Sequence, residues 1–394
     1  MLPDRGWNVE GTIDYRARLH KVSLAIAPGN VTATLVDTIM LTDADGKQIT
    51  GLDPERVRAP GNGFPEMPEA LNGLVSLDPE AIALNPDGTF FVSDEYGPYI
   101  YRFSPQGKML GAIRPPDAFI PKRKGVSNFS SNNPGPGASK PVPPNPEFGR
   151  QNNQGFEGMS LTPDGKTLAV ILQSATRQDG GTSPETRDHT RILFYDVSDL
   201  ANPKLVRENV VVLPNFKDAE GRRRIAAQSE LLALDDKRFF LLSRDSNNGY
   251  GMKGSTSVYR RVDLLDTSSA TNIAGTDYDG AKPVAPGGKL AEGIVAATLS
   301  PFLDINDNAQ LNKFGLHNGP PNDRTNLSEK WEAMGLVPAL DPANPRDFYL
   351  IVGNDNDFMT QDGFQAGAAY KEDSGADLDT RLLVYRITVP ELPR

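Results

Sequence analysis

The sequence predicts an all-β protein, a β-propeller of six or seven blades with long inter-blade loops. Three observations predict it. One hairpin pattern recurs four times, each copy carries a glutamate at the same position, and turn-forming residues separate its strands. Recurrence of a short β unit is the mark of sheets repeated around an axis.

The shared glutamates are Glu80, Glu157, Glu230 and Glu332. Two positions on stand Ile82, Met159, Leu232 and Met334, and four positions on stand Leu84, Leu161, Leu234 and Leu336. Between them lie the smaller Ala83, Ser160, Ala233 and Gly335. Large and small side chains alternating with period two describe a strand. Turns follow at Asn85-Pro86-Asp87-Gly88, Thr162-Pro163-Asp164-Gly165 and Asp235-Asp236. Proline presets φ there, and glycine or aspartate tolerates the tight bend. Further β-rich runs cover 99–103, 191–195, 257–260 and 381–386. The glutamates are 77, 73 and 102 residues apart, against roughly 40–50 for regular blades. Extra blades are therefore expected around residues 9–50 and 293–299. A β-sandwich of similar hairpins is the alternative, but it does not explain one polar residue fixed in every unit.

The whole chain, 1–394, reads as a single domain. Its main interruption is a proline-rich insertion over about 114–155, with no core pattern of its own and the look of a surface lid. Segments 265–290 and 302–328 are lesser excursions of the same kind. Against 41 basic residues stand 51 acidic ones, a net charge of −10. That balance argues against a nucleic-acid partner. No stretch approaches the roughly 20 apolar residues of a transmembrane segment. With no cysteine in the chain, a thiol nucleophile, a disulfide framework and a cysteine metal site are excluded. His20, His189 and His317 are too far apart in sequence to suggest a multi-histidine site. Neither a nucleophile elbow nor a glycine-rich phosphate loop is present. The first residues lack the apolar run of a secretory signal, so either a leader has been removed or the protein is cytoplasmic. The oligomeric state is left open.

A hairpin brings its first and last residues together at its open end. Glu80 is thus expected near Asp94 or Glu95, Glu157 near Gln173, Glu230 near Arg244 or Asp245, and Glu332 near Asp355 or Asp357. In a propeller these ends share one mouth, which would be ringed by carboxylates. Crowded carboxylates repel unless protonated or paired with cations. The expected metal ligands are Glu80, Glu95, Glu157, Glu230, Asp245, Glu332, Asp355 and Asp357. Hard oxygen donors suit Ca²⁺ first, then Mg²⁺ or Mn²⁺. Arg244 and Lys330 would pair with some of these acids or bind a small anionic substrate, and Tyr96 would stack on a ligand or pack. The competing reading is structural: a glutamate at a strand start caps backbone N–H groups between blades.

Several motifs resemble the phytase-like domain family, also called esterase-like activity of phytase. They are Asp78-Pro79-Glu80, Asp94-Glu95-Tyr96-Gly97-Pro98, Gly155-Phe156-Glu157-Gly158, Ser229-Glu230, Ser243-Arg244-Asp245, Trp331-Glu332 and Asn354-Asp355-Asn356-Asp357. The resemblance spans about 70–390. Two departures stand out: Ala333 follows Glu332 where the family often has glycine, and Ser243 precedes Arg244-Asp245. The resemblance implies a propeller, an exported (periplasmic or secreted) protein and phosphate-ester hydrolysis. The function expected on that basis is a metal-dependent phosphomonoesterase or phosphodiesterase. Glu157, Glu230 and Arg244 would then be catalytic, and Lys330, Arg244 and Tyr96 would bind substrate. A Ca²⁺-dependent lactonase or esterase is a close variant. A non-catalytic propeller that binds a ligand or protein at its mouth is the alternative from another class.

Overall fold

Each glutamate-bearing segment forms the first strand of an antiparallel sheet whose strands follow one another in chain order. The structure, a computed structural model, describes residues 1–365 and 367–389, so the expected domain's last residues, 390–394, lie outside the described residues. The first sheet comprises Pro79–Leu84, Phe90–Asp94, Ile100–Phe103 and Met109–Ile113. Phe156–Leu161, Thr167–Leu172, His189–Asp196 and Lys204–Val212 make the second. The third is built from Ala227–Ala233, Arg238–Arg244, Arg260–Asp266 and Thr298–Asp304. Three strands, Trp331–Pro338, Asp347–Asn354 and Leu382–Thr388, make the fourth.

These sheets are arranged as a β-propeller. The first strands lie side by side in order, Pro79–Leu84 beside Phe156–Leu161, then Ala227–Ala233, then Trp331–Pro338. Among the described residues, four sheets of blade size stand where six or seven blades were expected. The segment around 9–50 instead makes a long, largely exposed hairpin of Arg18–Ala27 with Asn30–Met40. The segment around 293–299 runs into the last strand of the third sheet. The wide glutamate spacing thus reflects loops and short hairpins between sheets.

Apolar layers join successive sheets. Phe91, Ile100, Phe156, Met159 and Val170 fill the space between the first and second. Ile171, Ile192, Leu231, Phe239 and Leu241 do so between the second and third. Phe240, Leu242, Trp331, Leu350 and Val352 continue between the third and fourth. Burial of such side chains contributes roughly 1.5–3 kcal/mol each and fixes the order of the sheets. The alternation of the first strand serves two layers: Ala81 and Ala83 join the core shared with the second sheet, and Ile82 packs on the other side. Leu84, the second large residue of that alternation, is 68% exposed at the strand's far end.

Close approach of the first strands explains one glycine. A Cβ on Gly158 would lie 2.6 Å from the Leu231 backbone nitrogen and 2.8 Å from the Glu230 carbonyl carbon. Hydroxyls stitch the same strands together. Ser93 Oγ accepts from Ala81 N–H (2.9 Å) and donates to the Glu157 carbonyl (3.1 Å), and Ser229 Oγ donates to the Trp331 carbonyl (2.9 Å).

The proline-rich insertion is a packed rim, unlike the coreless excursion expected. Phe119, Ile120 and Phe129 are fully buried. Buried Arg123 donates to the carbonyls of Asn128, Ser130, Pro143 and Pro144 and to the side-chain oxygens of Asn128 and Asn152. Buried Arg150 donates to the Tyr96 carbonyl (2.7 Å) and the Phe129 carbonyl (2.5 Å). The rim is therefore tied to the first sheet just beyond Glu95.

Between the fourth sheet and the first lies the N-terminal segment. Trp7 meets Tyr370 edge-on at 5.8 Å, and Tyr15 meets Phe358 at 6.5 Å. A Cβ on Gly51 would fall 2.0 Å from the Arg5 carbonyl oxygen, so only glycine leaves a seat for this segment.

A candidate acidic metal centre

In each of the four first strands the antiparallel register slips at the glutamate. The slips fall between Pro79 and Ile82, Phe156 and Met159, Gln228 and Glu230, and Trp331 and Ala333. A β-bulge leaves a residue out of the ladder and re-aims its side chain. The same device therefore acts at Glu80, Glu157, Glu230 and Glu332, but their surroundings differ.

Glu80 joins a carboxylate cluster. One oxygen each from Asp78, Glu80 and Glu95 all lie within 4.8 Å of one another. Burial, then the neighbouring charges of Glu157, Asp78, Glu95 and Asp4, push the Glu80 carboxyl well above the usual range. Asp78 is pushed up to about 7, by burial first, against the pull of Arg5. Arg5 grips it twice, with its backbone N–H on Oδ1 (3.2 Å) and its Nη1 on Oδ2 (2.5 Å). Glu95 is 3% exposed, and its Oε1 has no hydrogen-bond partner among the described residues. A buried unpartnered carboxylate oxygen carries a desolvation cost that a cation would remove. Three hard oxygen donors at this spacing could hold a metal ion.

Glu157 faces the same space. Gln173, the partner expected from the hairpin, donates to its Oε1 at 2.7 Å, while its buried Oε2 has no partner among the described residues. Burial and then the charges of Glu95 and Glu332 raise its pKa well above the usual range. Glu332 receives Arg244 Nη2, and Lys330 Nζ lies 3.7 Å from it. Lys330 Nζ also lies 3.1 Å from Asp355 and 3.5 Å from Asp357. Against the effect of burial, Lys330 and the Asp357 N–H hold Asp355 below its ordinary value. Glu332, Asp355 and Asp357 therefore form a cation-paired cluster around Lys330 and Arg244.

Glu230 is different. Its Oε1 accepts from the Leu231 N–H at 2.8 Å. Burial pushes its pKa up to about 8, opposed by the backbone groups of Leu231 and Met159. Asp245 is likewise bound into its own loop, accepting from Ser257 Oγ (2.5 Å), Val258 N–H (2.9 Å) and Asn248 Nδ2 (2.9 Å). Arg244, expected beside Glu230, reaches across to Glu332 and lies 3.6 Å from Glu329. Tyr96 is fully buried, and its hydroxyl donates to the Gly51 carbonyl at 2.7 Å. The structure gives Tyr96 a packed position instead of an open stacking face.

Sequence reasoning missed Asp4, Arg5 and Asp78 as members of this centre. Position −2 from the glutamate reads Asp78, Gly155, Gln228 and Lys330 in the four units, so a search for repeated residues passes over it. Arg5 and Asp4 precede the repeats altogether. A large groove of about 1140 Å³ lies elsewhere, between the tip of the 18–40 hairpin and strand Leu382–Thr388. It contains none of the clustered acids, so the chemistry and this opening do not coincide. Among the described residues no helix is long and apolar enough to cross a membrane.

Comparison with known proteins bears on this site. The family described as phytase-like, esterase-like activity of phytase, matches residues 3–358. An uncharacterised secreted protein of Arthroderma benhamiae is 41% identical over 410 residues, covering 92% of this chain and 78% of that protein. Among solved structures, a candidate 6-phosphogluconolactonase of Bacteroides fragilis aligns at 10% identity with a TM-score of 0.32, covering 94% of this chain and 82% of that one. A protein from Lactobacillus plantarum aligns at 9% identity with a TM-score of 0.30, covering 94% and 100%.

Proposed function

Since the chain belongs to the phytase-like family named for esterase-like activity, we propose that it is a cation-dependent hydrolase of phosphate esters working at the acidic mouth. The observation that carries this reading is the Asp78, Glu80 and Glu95 cluster with its buried, unpartnered Glu95 oxygen. These three residues would hold the ion, and Ca²⁺ is the ion we assign, because the donors are all oxygen and the neighbouring strand ends are irregular. When bound, the cation supplies Lewis-acid polarisation of a phosphoryl oxygen and of water.

The chain's own residues supply the rest. Lys330 and Arg244 present fixed positive charge to an anionic ester, with Asp355 and Glu332 keeping them ionised. Glu157, oriented by Gln173 and with a free Oε2, is the group we assign to proton transfer at the leaving oxygen. Glu230 and Asp245 we place outside the chemistry, because backbone and loop donors already engage them. Tyr96 acts through packing. We also propose that the protein is exported, as the name of its Arthroderma relative says of that protein.

A panel of phosphate monoesters, phosphodiesters and lactones, assayed with Ca²⁺ and with chelator, tests the reading. Calcium-dependent turnover of a phosphate ester that falls in both Glu80→Gln and Glu157→Gln supports it. Turnover of lactones alone would move the assignment to a lactonase. If Ca²⁺, Mg²⁺ and Mn²⁺ neither bind nor stabilise the protein, the metal-dependent reading is lost.

A further inference from the structure

Among the described residues, Arg5 is the one cation that forms an ion pair with the metal-type cluster. Both Asp78 oxygens are taken by it, one by the backbone N–H and one by Nη1. The guanidinium is 6% exposed with its residue and lies 5.7 Å from the Tyr96 ring centroid. Its seat is built: Gly51 gives its carbonyl room, and Gly6, with φ of +87°, turns the chain away so that Gly6 N–H caps Asp4 (2.9 Å). The same segment fills the seam between the fourth and first sheets through Trp7 on Tyr370. A guanidinium and a divalent ion cannot both hold the two Asp78 oxygens at bonding distance, since each neutralises the same lone pairs.

Resting on the metal reading above, we propose that Arg5 is a built-in counter-ion which the Asp78, Glu80 and Glu95 cluster exchanges for a divalent cation, so that cation binding releases the N-terminal segment from the seam. Arg5 thereby regulates occupancy of the site. Its charge lowers the cluster's affinity for cations and keeps Asp78 paired in their absence.

The test uses the full chain and Ca²⁺ as the probe. Calorimetric titration compares wild type, Arg5→Gln, Arg5→Lys and Glu80→Gln, and hydrogen–deuterium exchange follows residues 3–8 of the wild type. Arg5→Gln is expected to bind Ca²⁺ at least about tenfold more tightly than wild type, since one competing charge is gone. Arg5→Lys keeps the charge and should stay within a few-fold of wild type. Exchange at residues 3–8 is expected to rise on adding Ca²⁺. Arg5→Gln affinity equal to or weaker than wild type, with unchanged exchange, overturns the role of Arg5 while leaving the metal site standing if Glu80→Gln abolishes binding. Absence of Ca²⁺ binding in wild type and Arg5→Gln alike overturns both. If Arg5→Gln fails to fold, the wild-type exchange and Arg5→Lys titration decide: no rise in exchange at saturating Ca²⁺ rejects the proposal.

Discussion

Glu80 and Glu230 hold the same position in the repeat, and both sit at a β-bulge, yet they are put to different uses. Glu80 is crowded by Asp78, Glu95 and Glu157, whereas Glu230 is satisfied by the Leu231 N–H. The bulge supplies direction; the residues two before and fifteen after supply chemistry. In the first unit those are Asp78 and Glu95, and in the third Gln228 and Asp245. Gln228 turns to the Ile171 carbonyl at 3.1 Å, and Asp245 turns to its loop. A repeated residue in a propeller thus marks a location, and only its neighbours decide whether the location binds a charge.

The contrast can be broken most forcefully through pH. Glu230, raised from an ordinary 4.5 to about 8, stays neutral in the fold while the unfolded chain ionises earlier. Its contribution is fully present below pH 4.5 and is lost as pH rises through about 8. Glu230→Gln, which keeps the acceptor without the charge, is expected to match wild type near pH 5 and exceed it near pH 9 by roughly 3–5 kcal/mol. Denaturant melts at both pH values, in chelator, measure this. A variant that tracks wild type at every pH would show that burial does not hold Glu230 neutral in the fold.

Glu80→Gln should show the opposite profile, with little pH signature of its own once Ca²⁺ is present but a cation affinity at least about a hundredfold weaker, near 2.7 kcal/mol. Thermal melts with Ca²⁺ and with chelator read it directly, because a ligand that binds only the folded state raises its melting temperature. A smaller effect sharpens the geometry. Gly158→Ala forces a Cβ against the Glu230–Leu231 backbone and should cost about 1–3 kcal/mol, while Ala333→Gly should change stability by less than about 1 kcal/mol. Gln173→Ala is expected to cost about 1 kcal/mol in stability from the lost hydrogen bond to Glu157, with a larger change in any phosphoesterase rate than in KM.

Much of this was legible in the residues. Period-two alternation after each glutamate located all four first strands, and hairpin arithmetic placed Gln173 on Glu157 and Glu95 beside Glu80. Two things were not legible. The number of blades failed because residues 9–50 read as strands, and a two-stranded hairpin has the same local pattern as a blade's edge. The partner of Arg244 failed because hairpin pairing describes one sheet, while Arg244 reaches into the next. Arg5 and Asp78 escaped for a related reason: they are peculiar to one seam, and a search for repetition discards what occurs once.

The cage around Arg123 has a consequence for where such a protein can work. Every oxygen that receives this guanidinium is a carbonyl or an amide, so no proton taken up from acid can compete for the grip. The guanidinium itself loses its proton only near pH 10, because burial lowers it to about that value. The rim of the mouth is therefore acid-indifferent in its fastening at Arg123, although the carboxylates inside it are not. In an acidified medium the centre would discharge while this fastening of its frame held.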